Sequence, residues 1–117
     1  MKAIEWYFPG FFVDGISHET LMKFAKNHGD NYIIGIGDIP GREEEVYKTI
    51  VRVLRKETGL HFVLVDTQDG KCVVYLPDCF GDCPTYKELC QITSHYLFEL
   101  GSPSFQSIYF NLTECID

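Results

Sequence analysis

Residues 60–76, LHFVLVDTQDGKCVVYL, constrain the fold more than any other stretch of the chain. Two runs rich in β-branched residues, Leu60 to Asp66 and Lys71 to Leu76, flank Asp69-Gly70, a dipeptide that tolerates the positive φ angles of a tight hairpin turn. A hairpin makes its two strands antiparallel. The chain must therefore build an antiparallel or mixed sheet, and helices are expected to cover one side of it.

Three helices are predicted. Ser17 is placed to cap the first, with Ile16 spaced to staple onto Leu21. Leu21, Phe24, Ala25 and His28 recur at helical intervals before Gly29, a left-handed stop, and His28 falls near the negative end of the helix dipole. The second helix spans about Arg42 to Thr58. Glu43, Glu44 and Glu45 open it, Arg52, Arg55 and Lys56 close it, and Val46, Ile50, Val53 and Leu54 form its buried stripe ahead of Gly59. The third follows Pro84, with Asp82 or Cys83 as its cap and Leu89, Ile92, Tyr96, Leu97 and Leu100 as its apolar face, and ends at Gly101 and Pro103.

Further strands are expected at Lys2 to Phe8, with Ile4, Trp6 and Phe8 on one face and a turn at Pro9-Gly10, and at Asn31 to Gly37, whose continuous apolar run suits burial on both faces. A last strand runs from Phe105 to Leu112, with Ile108, Phe110 and Leu112 on one face. The result is a single α+β domain over residues 1–117, in the order β-α-β-α-β-β-α-β. Residues 31–112 alone have the element order of a ferredoxin-like split βαβ.

Composition narrows the function. The chain has 117 residues, is 45% hydrophobic and carries a net charge of −7. So many apolar side chains argue for a packed core over disorder. No apolar run approaches the roughly 20 residues of a membrane span. The opening segment, interrupted by Glu5, lacks the pattern of a secretion signal, so a cytoplasmic protein is expected. An acidic balance opposes binding to nucleic acid through its phosphates. The excess lies late in the chain, where Asp78, Asp82, Glu88, Glu99, Glu114 and Asp117 face a single base, Lys87.

Catalytic signatures are weak. The cysteines, Cys72, Cys79, Cys83, Cys90 and Cys115, are odd in number, and none is expected to form an obligate disulfide. Cys79-x3-Cys83 with Cys90 and His95 lacks the paired C-x2-C spacing of zinc sites, so no metal and no cofactor are expected. Cys83 near a helix start could act as a nucleophile with His95 or His61, although Asp78 and Asp82 oppose a thiolate there. Gly35, Gly37 and Gly41 depart from a phosphate-binding loop, since Pro40 removes a donor and three glutamates follow. Asn111-Leu112-Thr113 matches a glycosylation pattern, with nothing to send the chain outside.

Aromatic residues are abundant among the late acids. Exposed rings beside carboxylates make the anchors of protein interfaces, so Asp78, Phe80, Asp82, Tyr86 and Glu88 are the expected partner-binding residues. The expected function is a non-enzymatic immunity or inhibitor protein. It would neutralise a basic partner, such as a toxin nuclease, by occluding its active site. The alternative is a small enzyme or metabolite-binding domain built on the Cys79–Cys83 loop and His95.

Overall fold

The computed structural model describes residues 5–30, 43–77 and 83–111. Their order is β1 (Glu5–Phe12), α1 (His18–Asn27), α2 (Glu43–Thr58), β2 (Phe62–Thr67), β3 (Gly70–Tyr75), α3 (Tyr86–Glu99) and β4 (Gln106–Asn111). The expected strand at 31–37, the glycines at 35–41 and Leu112 lie outside the described residues. No helix among the described residues is long and apolar enough to cross a membrane.

The four strands form one antiparallel sheet in the order β2-β3-β1-β4. This is the strand order of a ferredoxin-like split βαβ. Among the described residues its first strand is β1 at Glu5–Phe12, and the crossover from β1 to β2 carries α1 and α2 together. The hairpin is as expected: β2 and β3 pair from Phe62↔Tyr75 to Thr67↔Gly70, with Gly70 at φ 135°.

The expected turn at Pro9-Gly10 is absent, and β1 runs straight through both residues. Val13 donates its N–H to Lys71 O, so odd-numbered residues of β1 aim their N–H groups at β3. Pro9 has none to aim, and the pairing with β3 ends at Gly10↔Val74. Pairing with β4 takes over from Gly10↔Gln106 to Glu5↔Asn111. Gly10 belongs to both ladders, and a Cβ there would lie 2.3 Å from Val73 O and 2.7 Å from Val74 Cγ1. Only glycine allows this approach.

One face of the sheet packs on the three helices. Phe11, Val13, Phe62, Leu64, Val73 and Tyr75 meet Leu21 and Phe24 of α1, Ile50 and Leu54 of α2, and Leu89 and Tyr96 of α3. The helix caps explain where these elements start and stop. Ser17 accepts the Thr20 N–H and caps α1, and Gly29 and Gly59 both take positive φ just past their helices. The cap of α3 is Thr85, not Asp82 or Cys83, and Pro84 stands before the helix instead of in its first turn. Ile92, expected in the core, is exposed; Thr93 takes the buried position, its hydroxyl bonded to Leu89 O at 2.7 Å.

The opposite face is buried too, with no helical residue in its cluster among the described residues. Phe8, Val63, Val65, Cys72, Val74, Ile108 and Phe110 meet there, each at most 5% exposed. Edge strands of a flat four-stranded sheet stand roughly 14 Å apart, three spacings of about 4.8 Å. Here β2 and β4 come within 8 Å of each other. The sheet rolls, and the side chains of its two edges join one apolar cluster on the concave side.

Candidate functional surface

Among the expected partner-binding residues, Asp78, Phe80 and Asp82 lie outside the described residues. Tyr86 is half exposed, but its ring packs on Phe105 at 5.5 Å and its hydroxyl donates to Phe105 O at 3.1 Å. Glu88 is exposed and closes a capping box: it accepts the Thr85 N–H at 3.3 Å while Thr85 Oγ1 accepts the Glu88 N–H at 3.2 Å. Both residues therefore have structural tasks at the start of α3. Phe98, on the same helix, is 78% exposed.

The residues of the alternative reading are dispersed along this region. Cys83 is exposed and precedes the Thr85 cap, so it is not in the first turn where a helix dipole would act on it. His95 lies in α3 with its ring 3.8 Å from that of Tyr96. Cys79 is outside the described residues. Among the described residues no group of three or more His, Cys, Asp or Glu side chains is arranged to hold a metal.

The tightest polar cluster joins the C-terminal ends of all three helices. His28, the C-cap of α1, presents Nδ1 to Glu57 Oε2 at 2.6 Å and Nε2 to Glu99 Oε2 at 2.7 Å. Tyr96 donates its hydroxyl to Glu57 Oε1 at 3.0 Å. Burial pushes the Tyr96 phenol up to about 12, and the hydrogen bond and charge of Glu57, with the charge of Glu99, push the same way. Doubly protonated, the ring donates to both carboxylates at once; neutral, it donates to one. With both nitrogens taken and its ring against Phe24 and Tyr96, His28 ties helices together and presents no open base. The sequence located His28 but not its partners. The signal was there: Glu57 and Glu99 are acids in the last turns of their helices, where the dipole disfavours negative charge unless a cation answers it.

A second cluster surrounds the hairpin turn. Lys71 Nζ lies 3.3 Å from Glu44 and 3.7 Å from Asp66, and the Lys71 N–H donates to Asp14 Oδ2 at 3.3 Å. Asp69 adds another exposed carboxylate in the turn itself. The Lys71 ammonium thus answers Glu44 and Asp66, while Asp14 is held by the Lys71 backbone and Asp69 adds a further charge nearby. Their field reaches the roll: burial pushes the Cys72 thiol up to about 12, opposed by a Thr67 hydrogen bond and reinforced by Asp14, Asp69 and Asp66.

Beside this acidic turn lies a cleft of about 360 Å³, at the seam where β4 faces the β2–β3 hairpin. Phe12, Ile108 and Phe110 line it and also belong to or pack against the second apolar cluster. Thr67, Gln68, Asp69, Tyr7 and Tyr109 also line it. The two tyrosines are 71% and 44% exposed and pack on each other at 5.2 Å. Only the pairing of β1 with β4 brings Tyr7 opposite Tyr109. Neither Cys83 nor His95 lines this cleft.

Set against known proteins, the chain matches no family model, no curated protein and no solved structure.

Proposed function

We propose that the protein is a non-enzymatic, acidic binding protein of the cytoplasm, an immunity or inhibitor protein that neutralises a basic protein partner such as a toxin nuclease. Occlusion is the mechanism: its carboxylates occupy the Lys/Arg cluster with which the partner holds its own substrate. The observation that carries the reading is the hairpin surface, where Asp14, Glu44, Asp66 and Asp69 outnumber Lys71 beside a cleft edged by two exposed tyrosines. Exposed aromatics supply area at low entropic cost, and the surrounding acids steer a basic partner into register. Asp78, Asp82 and Glu88, close in sequence to the half-exposed Tyr86, extend the negative charge along the chain.

The test is capture from the native host at low and high salt, followed by assay of the captured protein. A basic protein should co-purify at low salt, and its activity should disappear at one equivalent of this chain. A captured partner that keeps full activity in the complex overturns inhibition.

A further inference from the structure

We infer that His28 is a pH-sensitive clasp on the C-terminal end of α3, holding Glu99 while its ring is doubly protonated and letting go when the ring loses a proton. The ring stands between two acceptors, with Glu57 Oε2 at 2.6 Å from Nδ1 and Glu99 Oε2 at 2.7 Å from Nε2. An ionised carboxylate only accepts, so both contacts are hydrogen bonds only when both nitrogens carry protons. A neutral ring turns a lone pair onto one carboxylate oxygen, and that contact becomes repulsive. The surroundings favour the cation. Three helices end here, and the negative end of each dipole adds to the charge of the two carboxylates. Among the described residues no lysine or arginine pairs with Glu57 or Glu99, and the last turn of α3 holds no base.

The titratable groups around the ring decide which contact is released. On its own helix His28 meets the ring of Phe24, which does not titrate. From α2 it faces Glu57, and from α3 it faces Glu99 and Tyr96, whose ring also lies 3.8 Å from that of His95. Glu57 accepts the Tyr96 hydroxyl at 3.0 Å through its other oxygen. Burial and the neighbouring carboxylates push that phenol up to about 12, so it remains a donor where histidines titrate. Glu99 has no polar side-chain partner other than His28 among the described residues. A ring left with one proton therefore keeps it on Nδ1, towards the doubly held Glu57, and releases Glu99. Tyr96 and Leu100 are buried and keep α3 docked, so what loosens is the turn between them, where Phe98 is already exposed. The unfolded chain offers the ring no such pair of acceptors. The bond to Glu99 therefore contributes stability below the histidine range, and that contribution is lost as pH rises through it.

The experiment is amide hydrogen exchange of the isotopically labelled full chain between roughly pH 6 and pH 9, followed by NMR, with each rate divided by the intrinsic rate of that amide at the same pH. Imidazole nitrogen spectra at pH about 6 report the ring itself, and should show both nitrogens of His28 protonated. Protection of the amides of residues 97–100 should fall about fivefold to tenfold by the alkaline end, the factor expected when one charged hydrogen bond is lost at a partly exposed site. Protection of the β3 amides should not change over the same range. In His28→Gln and in Glu99→Gln the protection of residues 97–100 should be independent of pH. Glu99→Gln leaves the contact between His28 and Glu57 in place, and it carries the test if His28→Gln does not fold. His95→Gln should keep the fall, because the ring of His95 touches Tyr96 and neither carboxylate. Constant protection in the native chain, a fall that persists in Glu99→Gln, a fall that disappears in His95→Gln, or a single protonated ring nitrogen on His28 at the acid end overturns the inference.

Discussion

The two faces of the sheet are equally dry but are closed by different means. The convex side is covered by three amphipathic helices that were legible in the sequence and are tied at their ends by His28. On the concave side, residues of β2 and β4, strands far apart in the sequence, join one apolar cluster, and Gly10 lets β1 lie close against β3 beneath it. Locally encoded burial leaves a sealed face. Burial by rolling leaves a seam, lined by exposed Tyr7 and Tyr109 and by Asp69.

The comparison breaks first, if it breaks, at Phe110. Phe110→Ala removes a ring that is 1% exposed and 5.2 Å from that of Phe8, and it should cost about 3–5 kcal/mol in urea denaturation, as Phe24→Ala should on the helical side. A cost below about 1 kcal/mol for Phe110→Ala alone would mean that the concave cluster is not a core of equal standing. Gly10→Ala comes next: the added methyl meets the β3 backbone and should cost about 2–3 kcal/mol. Gly15→Ala, with nothing within 4 Å, should change stability by less than about 0.5 kcal/mol. On the sealed face, His28→Gln should cost about 1–2 kcal/mol, a figure kept low because Glu57 and Glu99 remain partly in water.

A further effect is alkaline. Each face holds one group with a raised pKa, Tyr96 on the helical side and Cys72 inside the roll. A raised folded pKa means that the unfolded chain loses its proton first. Stability contributed by Tyr96 is therefore intact below its ordinary value of 10.0 and declines as pH rises towards about 12; for Cys72 the decline begins near 9.0. Chemical denaturation at rising pH should show both, and Tyr96→Phe should remove the upper part of the decline.

Legibility followed the range of the interactions. Helix stripes, the Ser17 cap, the Gly29 and Gly59 stops and the Asp69-Gly70 hairpin depend on neighbours within a few residues, and the sequence displays them. Pro9-Gly10 has the composition of a turn. It is read through as strand because β3 and β4 divide the pairing of β1 at Gly10, a tertiary condition that no local pattern carries. Ile92 and Thr93 exchange expected places for a related reason: the Thr93 hydroxyl is satisfied by its own helix, so the smaller residue can face the core. At the candidate surface, charge and aromatic content were legible, but Tyr86 and Glu88 are committed to the start of α3, and the pairing of Tyr7 with Tyr109 required the sheet.

On the proposed reading, the acidic hairpin surface beside the seam captures a basic partner. The most direct measurement is the association rate with the captured partner as a function of ionic strength, for the native chain and for Asp14, Asp66 and Asp69 replaced together by Asn. The account predicts a rate that falls about tenfold or more between roughly 0.05 and 0.5 M salt, and a triple variant that associates slowly with a shallow salt dependence while its dissociation rate changes little. A salt-independent rate, or a triple variant indistinguishable from the native chain, would contradict it.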